Sequence, residues 1–571
     1  MKYVLRYIRP YLGRMGVGLS IKSIGTLMEL FIPYILAFMI DEVVPLRRVD
    51  AILFWGGVML LCSFIAVAGN IIANRMAAKV SRDTTEALRH DLFEKIIHLS
   101  CGQIDAFTIP SLESRLTSDT YHVHHMLGMM QRMGVRAPIL LVGGIFVTMT
   151  MEPVLTLVLL CVLPFISLVM WQVSRRGIAL FTQLQQAVDA MVRVVRENMR
   201  GVRVIKALSK SEYEKQRFEA SNQTVVAREK KANLTMAITN PVMNLLLNGG
   251  LTLVVIVGAF RVNAGLSQSG KIIAFLSYFT IILNAMMAVT RMFVMYSKGG
   301  ASAARISRIL DAPQDLKVQP YARQESEYHV QFQNVSFSYL KKQDNIKDIS
   351  FALKRGETLG IIGPTGCGKS TIMNLLMRLY DADSGKIFID GQRVESILPE
   401  TLHTLFGMVF QDDVLFADTI LENIRFGRNL SEEQVLAAVE YAQAREFIDA
   451  LPDGIHHRLT AKGTNLSGGQ KQRVLIARAL AGDPEILILD DSSSALDYRT
   501  DALLRGAVGE HYKNTTTIII AQRVSSILHA DHILVLEDGR ALGYGTHEEL
   551  LDKCKLYRDI SRTQMGGERI A

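Results

Sequence analysis

The chain has 571 residues, of which 49% are hydrophobic and 21% charged, and its formal net charge is +8. This length exceeds what one hydrophobic core supports, so at least two domains are expected. The excess of Lys and Arg lies in segments that flank long apolar runs, where membrane topology accounts for it, and we therefore expect no nucleic-acid partner. Five scattered cysteines indicate neither a disulfide framework nor a zinc site.

The N-terminal half of the chain contains long apolar stretches. The first 16 residues are basic and amphipathic, which is typical of a helix at the cytoplasmic membrane surface. A membrane-spanning helix needs about 20 apolar residues. The third stretch is shorter, but the MLGMM sequence before it can extend its helix. The six predicted spans are 17–40, 51–72, 135–150, 154–173, 234–262 and 271–296.

The connections between these spans differ in length and charge. Residues 73–134 carry 7 Lys or Arg and residues 174–233 carry 13. The basic residues of the opposite loops are Arg47, Arg48, Arg261 and Lys271. The positive-inside rule therefore places the N-terminus and both long connections in the cytoplasm of a multi-pass protein of the cell membrane. Their helical periodicity and mixed charge predict helices that extend into the cytosol, where a soluble domain docks.

The soluble part of the chain follows a break in this pattern. Residues 311–327 contain two prolines, several charges and little apolar periodicity, and we interpret them as a linker between a transmembrane domain, 1–310, and a soluble domain, 328–571. The segment YHVQFQNVSFSY alternates like a β-strand, and LGIIG before a glycine-rich turn predicts a buried strand that leads into a helix.

Residues 363–370 read GPTGCGKS, which matches the phosphate-binding pattern G-x-x-x-x-G-K-[ST]. Backbone N–H groups of such a loop surround the phosphates, the Lys reaches the terminal phosphates, and the Ser can bind Mg²⁺. A glycine-rich turn without a ligand is the alternative. The predicted nucleotide-binding residues of this segment are Gly363, Pro364, Thr365, Gly366, Cys367, Gly368, Lys369, Ser370 and Thr371.

Two further segments accompany the phosphate loop. The apolar strand ILILD ends in Asp490, as expected of the carboxylate that holds Mg²⁺ beside such a loop. Between them, NLSGGQ precedes the helix-forming run VLIARAL, and a Ser there is also an ordinary helix cap. LSGGQ resembles the signature of ABC ATPases. With six spans before it, the whole chain resembles a half-transporter of the ABC exporter fold.

This resemblance implies a fold and a set of site residues. The fold is a six-helix transmembrane bundle with long cytoplasmic extensions, followed by an α/β P-loop NTPase domain. Tyr339 looks like the aromatic residue that stacks on adenine, although a strand-face aromatic is the alternative. Gln411 looks like the Q-loop residue, which would bind Mg²⁺ with Ser370 and Asp490. Residues 494–497, SALD, resemble the D-loop.

The resemblance also implies a partner. Two nucleotide-binding domains of this family pair head to tail, so that Ser467 and Gly469 of the signature would complete the partner's ATP site. A second half-transporter is therefore expected. Residues 115–120 and 203–218 resemble the regions of the coupling helices that join the membrane half to the nucleotide domain.

The chain departs from the family pattern at the residues of hydrolysis. Asp491 stands where the family has a Glu that polarises water, and Gln522 replaces the switch His. Thr460-Ala461-Lys462 stands in place of Gly-Glu-Arg before the signature. We expect ATP binding with weakened hydrolysis at this chain's own site, which resembles the degenerate-site subunit of heterodimeric bacterial multidrug exporters. Hydrolysis would then occur mainly at the composite site with a partner that carries Glu and His, and a homodimer with two slow sites is the alternative.

The cargo is expected to bind between the membrane halves. Candidates in the fifth and sixth spans are Met243, Met286, Met287, Met292, Met295, Phe275, Tyr278, Phe279, Phe293 and Tyr296, although packing against lipid or neighbouring helices is the alternative for each. Polar residues expected to face protein or a cavity are Lys22, Glu29, Asn244, Asn248, Asn284 and Arg291. Glu29 is a candidate for binding cationic cargo, with helix packing as the alternative.

These expectations give one leading hypothesis and two alternatives. The chain is expected to export hydrophobic or amphipathic small molecules across the cytoplasmic membrane by alternating access driven by ATP. A lipid or peptide exporter, or an importer on the same scaffold, keeps the fold and changes the cargo. A nucleotide-holding regulatory subunit is the alternative from another class.

Overall fold

The computed structural model of the chain describes residues 2–339, 341–411, 414–492 and 495–565. The chain divides into two compact units. The first comprises residues 1–97 and 110–312, and the second comprises residues 98–109 and 313–571.

The first unit is helical. Its helices are α1 (Lys2–Ile8), α2 (Leu12–Phe38), α3 (Val49–Ile97), α5 (Ile109–Ser114), α6 (Thr120–Met133), α7 (Arg136–Pro138), α8 (Gly144–Met151), α9 (Pro153–Arg200), α10 (Val202–Ala207), α11 (Ser211–Ala237), α12 (Thr239–Asn263) and α13 (Ser269–Leu310), while α4 (Cys101–Phe107) belongs to the second unit. Short 3₁₀ and π segments, such as Met39–Val43 and Arg115–Asp119, join several of them.

Among the described residues, six helical stretches are long and apolar enough to cross a membrane. They are Tyr3–Leu46, Val49–Ile97, Ile109–Met151, Pro153–Arg200, Ser211–Asn263 and Ser269–Leu310. Each contains one of the predicted spans. The stretches are 42 to 53 residues long, about twice what a bilayer requires, so the prediction of six spans with long helical extensions is confirmed.

The core of the membrane unit lies around α13. Phe275, Tyr278 and Phe279 are at most 1% exposed and pack in a cluster with residues of α9 and α12. Of the two interpretations of these three aromatic rings, packing against neighbouring helices is therefore the one that the structure supports. They fall on the helix face that packs inside the first unit, and apolar composition alone does not distinguish that face from one lining a cavity.

Several charged residues of the membrane unit are paired within it. The two Glu29 carboxylate oxygens accept hydrogen bonds from Arg136, the shorter at 2.8 Å, and Glu152 accepts one from Arg261 at 3.0 Å. Lys22 is 3% exposed and donates to the Asn74 side chain at 3.0 Å. Because Arg136 already neutralises Glu29, the structure favours the helix-packing interpretation of Glu29 over a site for cationic cargo.

The second unit contains two β-sheets. Its strands are β1 (Val330–Phe337), β2 (Ile346–Leu353), β3 (Thr358–Ile362), β4 (Ser384–Ile389), β5 (Gln392–Arg393), β6 (Phe406–Val409), β7 (Ile486–Asp490), β8 (Thr516–Ile520), β9 (His532–Glu537) and β10 (Arg540–Gly545). The smaller, antiparallel sheet has the order β2-β1-β4-β5, and the larger has the order β10-β9-β3-β8-β7-β6. In the larger sheet only the β9–β10 pairing is antiparallel among the described pairs.

Helices surround these sheets. They are α14 (Lys369–Leu376), α15 (Pro399–Thr404), α16 (Ile420–Arg425), α17 (Glu432–Tyr441), α18 (Arg445–Asp449), α19 (Gly468–Leu480), α20 (Tyr498–His511), α21 (His547–Lys553) and α22 (Lys555–Met565). All five residues of β7 are buried, and β3 is buried except for its first residue, as expected of central strands covered on both faces. The predicted α/β character of this unit is confirmed.

The structure differs from the sequence prediction at the linker and at the first coupling region. Backbone N–H groups of Gln319 and Gln324 donate to Glu395 and Gly391 of the second unit, so much of 311–327 lies on that unit. Residues 98–109, rather than the predicted 115–120, form the part of the first long connection that belongs to the second unit. A positive φ of 64° at Thr108 ends α4 there, a break that the mixed-charge helical pattern did not reveal.

Candidate functional site

The phosphate loop joins β3 to α14. Gly366 and Gly368 adopt positive φ angles of 86° and 102°, which favour glycine at both positions. A Cβ at Gly363 would lie 2.1 Å from the Leu536 carbonyl oxygen, so the loop packs tightly at its base, whereas a Cβ at Gly366 would meet nothing within 4 Å. The loop is thus fixed below and open at Gly366, a shape into which a phosphate chain fits.

Two residues at the start of α14 carry the polar groups of this loop. The Lys369 ammonium donates to the carbonyl oxygens of Gly363 and Pro364, each at 2.9 Å, which holds it across the loop. Ser370 Oγ donates to Asp490 Oδ2 at 2.7 Å. Strand pairing explains the second contact, because β3 and β7 flank β8 and the carboxyl ends of parallel strands meet at one edge of the sheet.

The two carboxylates that follow one another at the end of β7 have different surroundings. Asp490 is 4% exposed, and its burial raises the pKa of its carboxyl above the ordinary value, although the Ser370 hydrogen bond opposes that shift. Burial also raises the pKa of Asp491, against the positive charges of Lys369 and Arg523. Burial thus disfavours the charged form of both carboxylates, and a bound cation would favour it.

Asp491 and Gln522 are brought together by the pairing of β7 with β8. Asp490 lies opposite Ile520 in the parallel register, so the residues just beyond both strands are neighbours. The Asp491 backbone has a φ of 49° and its N–H donates to the Ile520 carbonyl at 2.9 Å. Gln522 Nε2 donates to Asp491 Oδ2, also at 2.9 Å. The two residues that depart from the family pattern are thus bonded to each other.

Tyr339 stands beside the phosphate-loop helix. Its hydroxyl accepts a hydrogen bond from Asn374 at 3.1 Å and lies 3.4 Å from the Thr371 hydroxyl, and its ring is 37% exposed. The ring meets Tyr380 edge to face, with centroids 5.0 Å apart. A partly exposed ring fixed at this place fits the stacking role predicted for it.

Sequence reasoning missed Tyr380 and the contact that it makes. Tyr380 donates its hydroxyl hydrogen to Asp105 of α4 at 2.6 Å, and burial together with this bond raises the pKa of its phenol. Helix α4 is also held by Ser100, which donates to Asp315 at 2.6 Å. A Tyr four residues after a helix carries no motif, so no signal in the sequence predicts its pairing with a residue 275 positions away.

The signature segment forms the start of α19. Ser467 caps the helix, accepting from Gln470 N–H at 3.3 Å while Gln470 Oε1 accepts from Ser467 N–H at 2.9 Å. Ser467 and Gly468 are exposed, and a Cβ at Gly469 would approach the Ala495 carbonyl to 3.1 Å. Ser467 is therefore a helix cap, as the alternative interpretation predicted. The N-terminal end of α19 is nevertheless exposed and accessible to a ligand.

The remaining predicted positions are described in part. Gln411 is exposed and lies two residues beyond β6, whose pairing with β7 brings it to the same sheet edge as Asp490. Residues 460–462 are those that differ from the family's Gly-Glu-Arg. Within them, Lys462 has a φ of 63°, and its N–H donates to the Leu415 carbonyl in the loop after Gln411. Ser494 of the predicted D-loop lies outside the described residues. Asp497, at the end of that segment, caps α20.

The donor set at the phosphate loop suits a hard divalent cation. Ser370 Oγ and Asp490 Oδ2 are oxygen ligands already within 2.7 Å of each other, and the open space above Gly366 leaves room for phosphate oxygens. Mg²⁺ is usually held by one or two protein oxygens together with phosphates and water. The residues present therefore fit Mg²⁺ with a nucleoside triphosphate.

Comparisons with known proteins agree with this architecture. Residues 15–286 match the family described as the ABC transporter transmembrane region, and residues 346–494 match the family described as ABC transporter. The chain is 35% identical to the uncharacterized ABC transporter ATP-binding protein YfiB of Bacillus subtilis over 570 residues, covering 100% of this chain and 99% of that one. It is 33% identical to YknU of the same organism, a protein of the same description, over 98% of this chain and 96% of that one.

A solved structure of a bacterial Atm1-family ABC exporter with ATP bound is similar to the whole chain, with a TM-score of 0.80 and 25% identity over 100% of this chain and 99% of that one. The fold and site thus define a membrane transporter whose ATPase and membrane parts share one chain. The chain belongs to the ABC transporter family, as a half-transporter of the exporter fold. It binds ATP, and its activity is ATP-driven export.

Proposed function

We propose that this chain is the nucleotide-holding subunit of a heterodimeric exporter of amphipathic compounds. The observation that carries the proposal is the contrast within one site. Lys369, Ser370 and Asp490 keep the family's residue types, and Ser370 donates a hydrogen bond to Asp490. Asp491 and Gln522 depart from the family's residue types and bond to each other.

The Asp491–Gln522 contact supports slow hydrolysis at this site. Asp491 is one methylene shorter than Glu, which retracts its carboxylate by roughly 1 Å, and a misplacement of that size can cost about 10²-fold in rate. Its Oδ2 also accepts the Gln522 amide at 2.9 Å. A carboxylate engaged with an amide is less available to a water molecule, and Gln lacks the charge and the titratable proton of His.

The same site supports ATP and Mg²⁺ binding. Ser370 and Asp490, with Gln411 at the same sheet edge, would hold Mg²⁺, which neutralises phosphate charge when bound. Residues 363–371 would surround the phosphates, and Tyr339 would stack on the adenine ring. The cluster of Tyr339, Thr371 and Asn374 supports this placement because it fixes the ring beside α14.

The signature supports a role toward a partner. Ser467 and Gly469 keep the family's residue types, and the exposed start of α19 offers backbone N–H groups to an anion. A second half-transporter with Glu and His in its catalytic positions would use this end of α19 to complete its own ATP site. Hydrolysis would then occur mainly at that composite site, in a nucleotide unit on the cytoplasmic side of the membrane.

Helices α12 and α13 support an amphipathic cargo. A cleft of about 480 Å³ on these helices mixes polar and apolar side chains, and its lining residues are Asn248, Leu251, Thr252, Val255, Leu276, Ser277 and Thr280. Asn244 of α12 and Asn284 of α13 are also exposed, and each lies four residues along its helix from a residue that lines the cleft. Polar groups are costly against lipid, so we propose that this face meets the cargo pathway.

The decisive experiment compares the purified chain alone with the chain co-expressed with a candidate half-transporter encoded beside it. We expect steady ATPase activity and a particle mass of two halves for the mixed complex, and little activity for this chain alone. Brisk turnover by this chain alone as a dimer would contradict the heterodimer. Uptake of labelled amphipathic compounds, lipids or peptides into inverted vesicles then separates the cargo alternatives and the direction of transport.

A further inference from the structure

The C-terminal helix α22 contacts the loop that carries Gln522. One side-chain amide makes both contacts: Gln564 Nε2 donates to the Gln522 carbonyl oxygen, and Gln564 Oε1 accepts from the Val524 N–H, each at 2.8 Å. These two backbone groups flank Arg523. The amide therefore holds both sides of the loop at once, across about 40 residues of sequence.

Helix α22 is itself anchored, so Gln564 is presented from a fixed position. Tyr557 is fully buried, and its hydroxyl pairs with His547 Nδ1 at 2.7 Å. Ile560 packs against the cluster that contains Val524 and Ile527. A side chain on a helix held in this way restrains a loop, whereas a side chain on a free terminus does not.

The restrained loop leads directly to the altered catalytic pair. Beyond Gln522 the contacts continue through its side chain to Asp491 Oδ2 at 2.9 Å, and the Asp491 N–H is held by Ile520. Arg523, on the same loop, also carries a positive charge near this carboxylate. Movement of the loop would thus change the hydrogen-bond partner of Asp491 and the position of a nearby positive charge.

We infer that Gln564 is a positioning residue, which acts through Gln522 on the terminal phosphate of bound ATP. The inference rests on the nucleotide site assigned under the proposed function and extends it to the C-terminal helix. With the loop held, the Gln522 amide stays at the edge where the third phosphate would lie. Without Gln564, the loop is more mobile and the interaction of the Gln522 amide with that phosphate weakens. Contacts to the first two phosphates remain.

The experiment measures release of two fluorescent mant-nucleotides, ADP and the non-hydrolysed β,γ-imido analogue of ATP, from the full-length chain in lipid nanodiscs. Gln564→Met keeps the length of the side chain and removes both hydrogen bonds. We expect about tenfold faster release of the triphosphate and unchanged release of ADP. Gln564→Glu keeps the acceptor for the Val524 N–H but loses the donor to Gln522, so its effect should be smaller.

Two controls distinguish positioning from a structural role. Thr563→Ala removes a hydroxyl in the same helical turn that donates, among the described residues, to the Asp559 carbonyl of its own helix, and it should leave both release rates unchanged. In a Gln522→Ala background, Gln564→Met should add no further effect on triphosphate release, because the residue through which it acts is absent.

Equal acceleration of both nucleotides, additive effects with Gln522→Ala, or unchanged triphosphate release would each overturn the inference. Thermal unfolding of each variant identifies any that is misfolded, and Gln564→Glu then provides the test in place of Gln564→Met. Rapid triphosphate release by the unaltered chain would count against the holding role in the proposed function. The comparison between single and double variants would still decide the role of Gln564.

Discussion

The phosphate-binding part of the nucleotide site and its hydrolytic part lie at one edge of the same sheet but differ in construction. Lys369 donates to carbonyl oxygens of its own loop, and Ser370 donates to the buried Asp490 at the end of β7. Asp491 and Gln522 are more exposed and bond to each other. A chain can thus keep the contacts of its phosphate loop while the residues proposed to activate the attacking water diverge.

Loss of the Lys369 ammonium is expected to have the largest effect, because it removes a positive charge from the phosphate loop. Lys369→Met removes the ammonium that lies across the loop, so ATP affinity should fall about 100-fold, because a charge-assisted contact is lost. Isothermal titration of the purified chain with ATP measures this. Lys386→Met, at an exposed position of β4, is the matched control and should bind ATP normally. Normal affinity in Lys369→Met would mean that phosphates do not bind at this loop.

The second prediction concerns the hydrolytic side. Restoring the family residues with Asp491→Glu and Gln522→His should raise ATP turnover at this site by about 10- to 100-fold, because the carboxylate is then extended toward the terminal phosphate. Phosphate release from the mixed complex, with the partner's own site disabled, measures the change.

The single variants are the controls for this restoration, and each should recover less than the pair, since the two side chains contact each other. Higher ATPase activity without higher transport would favour the regulatory-subunit alternative. No gain in turnover from the double variant would show that Asp491 and Gln522 do not limit hydrolysis.

A smaller effect is expected at Tyr380, which contacts the aromatic residue proposed to stack on adenine. Tyr380→Phe keeps the ring that meets Tyr339 and removes the bond to Asp105 on α4, which is covalently continuous with membrane helices on both sides. We expect cargo stimulation of ATPase activity in the mixed complex to fall about threefold, with ATP affinity unchanged. Tyr544→Phe, which loses a bond to the Ala352 carbonyl away from α4, is the matched control. Equal losses in both variants would argue against signalling through Tyr380.

The smallest effect is a pH dependence of the binding side. Burial raises the pKa of Asp490 above its ordinary 3.8, so a proton competes with Mg²⁺ as the pH falls through that raised value. Affinity for Mg²⁺ with ATP should therefore weaken on acidification, by less than about tenfold. Titrations over a pH series measure it.

The raised pKa of Asp490 also predicts how the free energy of unfolding of the nucleotide-free chain depends on pH. The folded chain holds the Asp490 proton more tightly than the unfolded chain, so its contribution to the free energy of unfolding is present at low pH and is lost as the pH rises through the raised pKa. Asp490→Asn should remove this dependence and flatten the pH profile of the melting temperature. An unchanged profile in Asp490→Asn would assign the pH dependence to other groups.

Local sequence patterns predicted much of the fold. Apolar stretches predicted all six spans, because a bilayer demands length and apolarity from each helix separately. The phosphate loop and the Ile486–Asp490 strand were predicted from motifs whose residues are adjacent in sequence. The first coupling segment was misplaced, because docking of residues 98–109 depends on a turn at Thr108 and on partners far along the chain.

The sequence by itself therefore determined the class of the protein, its spans, and the identities of Lys369, Asp490, Asp491 and Gln522. Only the tertiary structure decided that Gln522 bonds to Asp491, that Gln564 holds the Gln522 loop, and that Tyr380 bonds to Asp105. It also decided that Phe275 faces the core rather than a cavity. The physical reason is the same throughout: composition and spacing constrain what is local, whereas strand register and helix rotation decide which distant side chains meet.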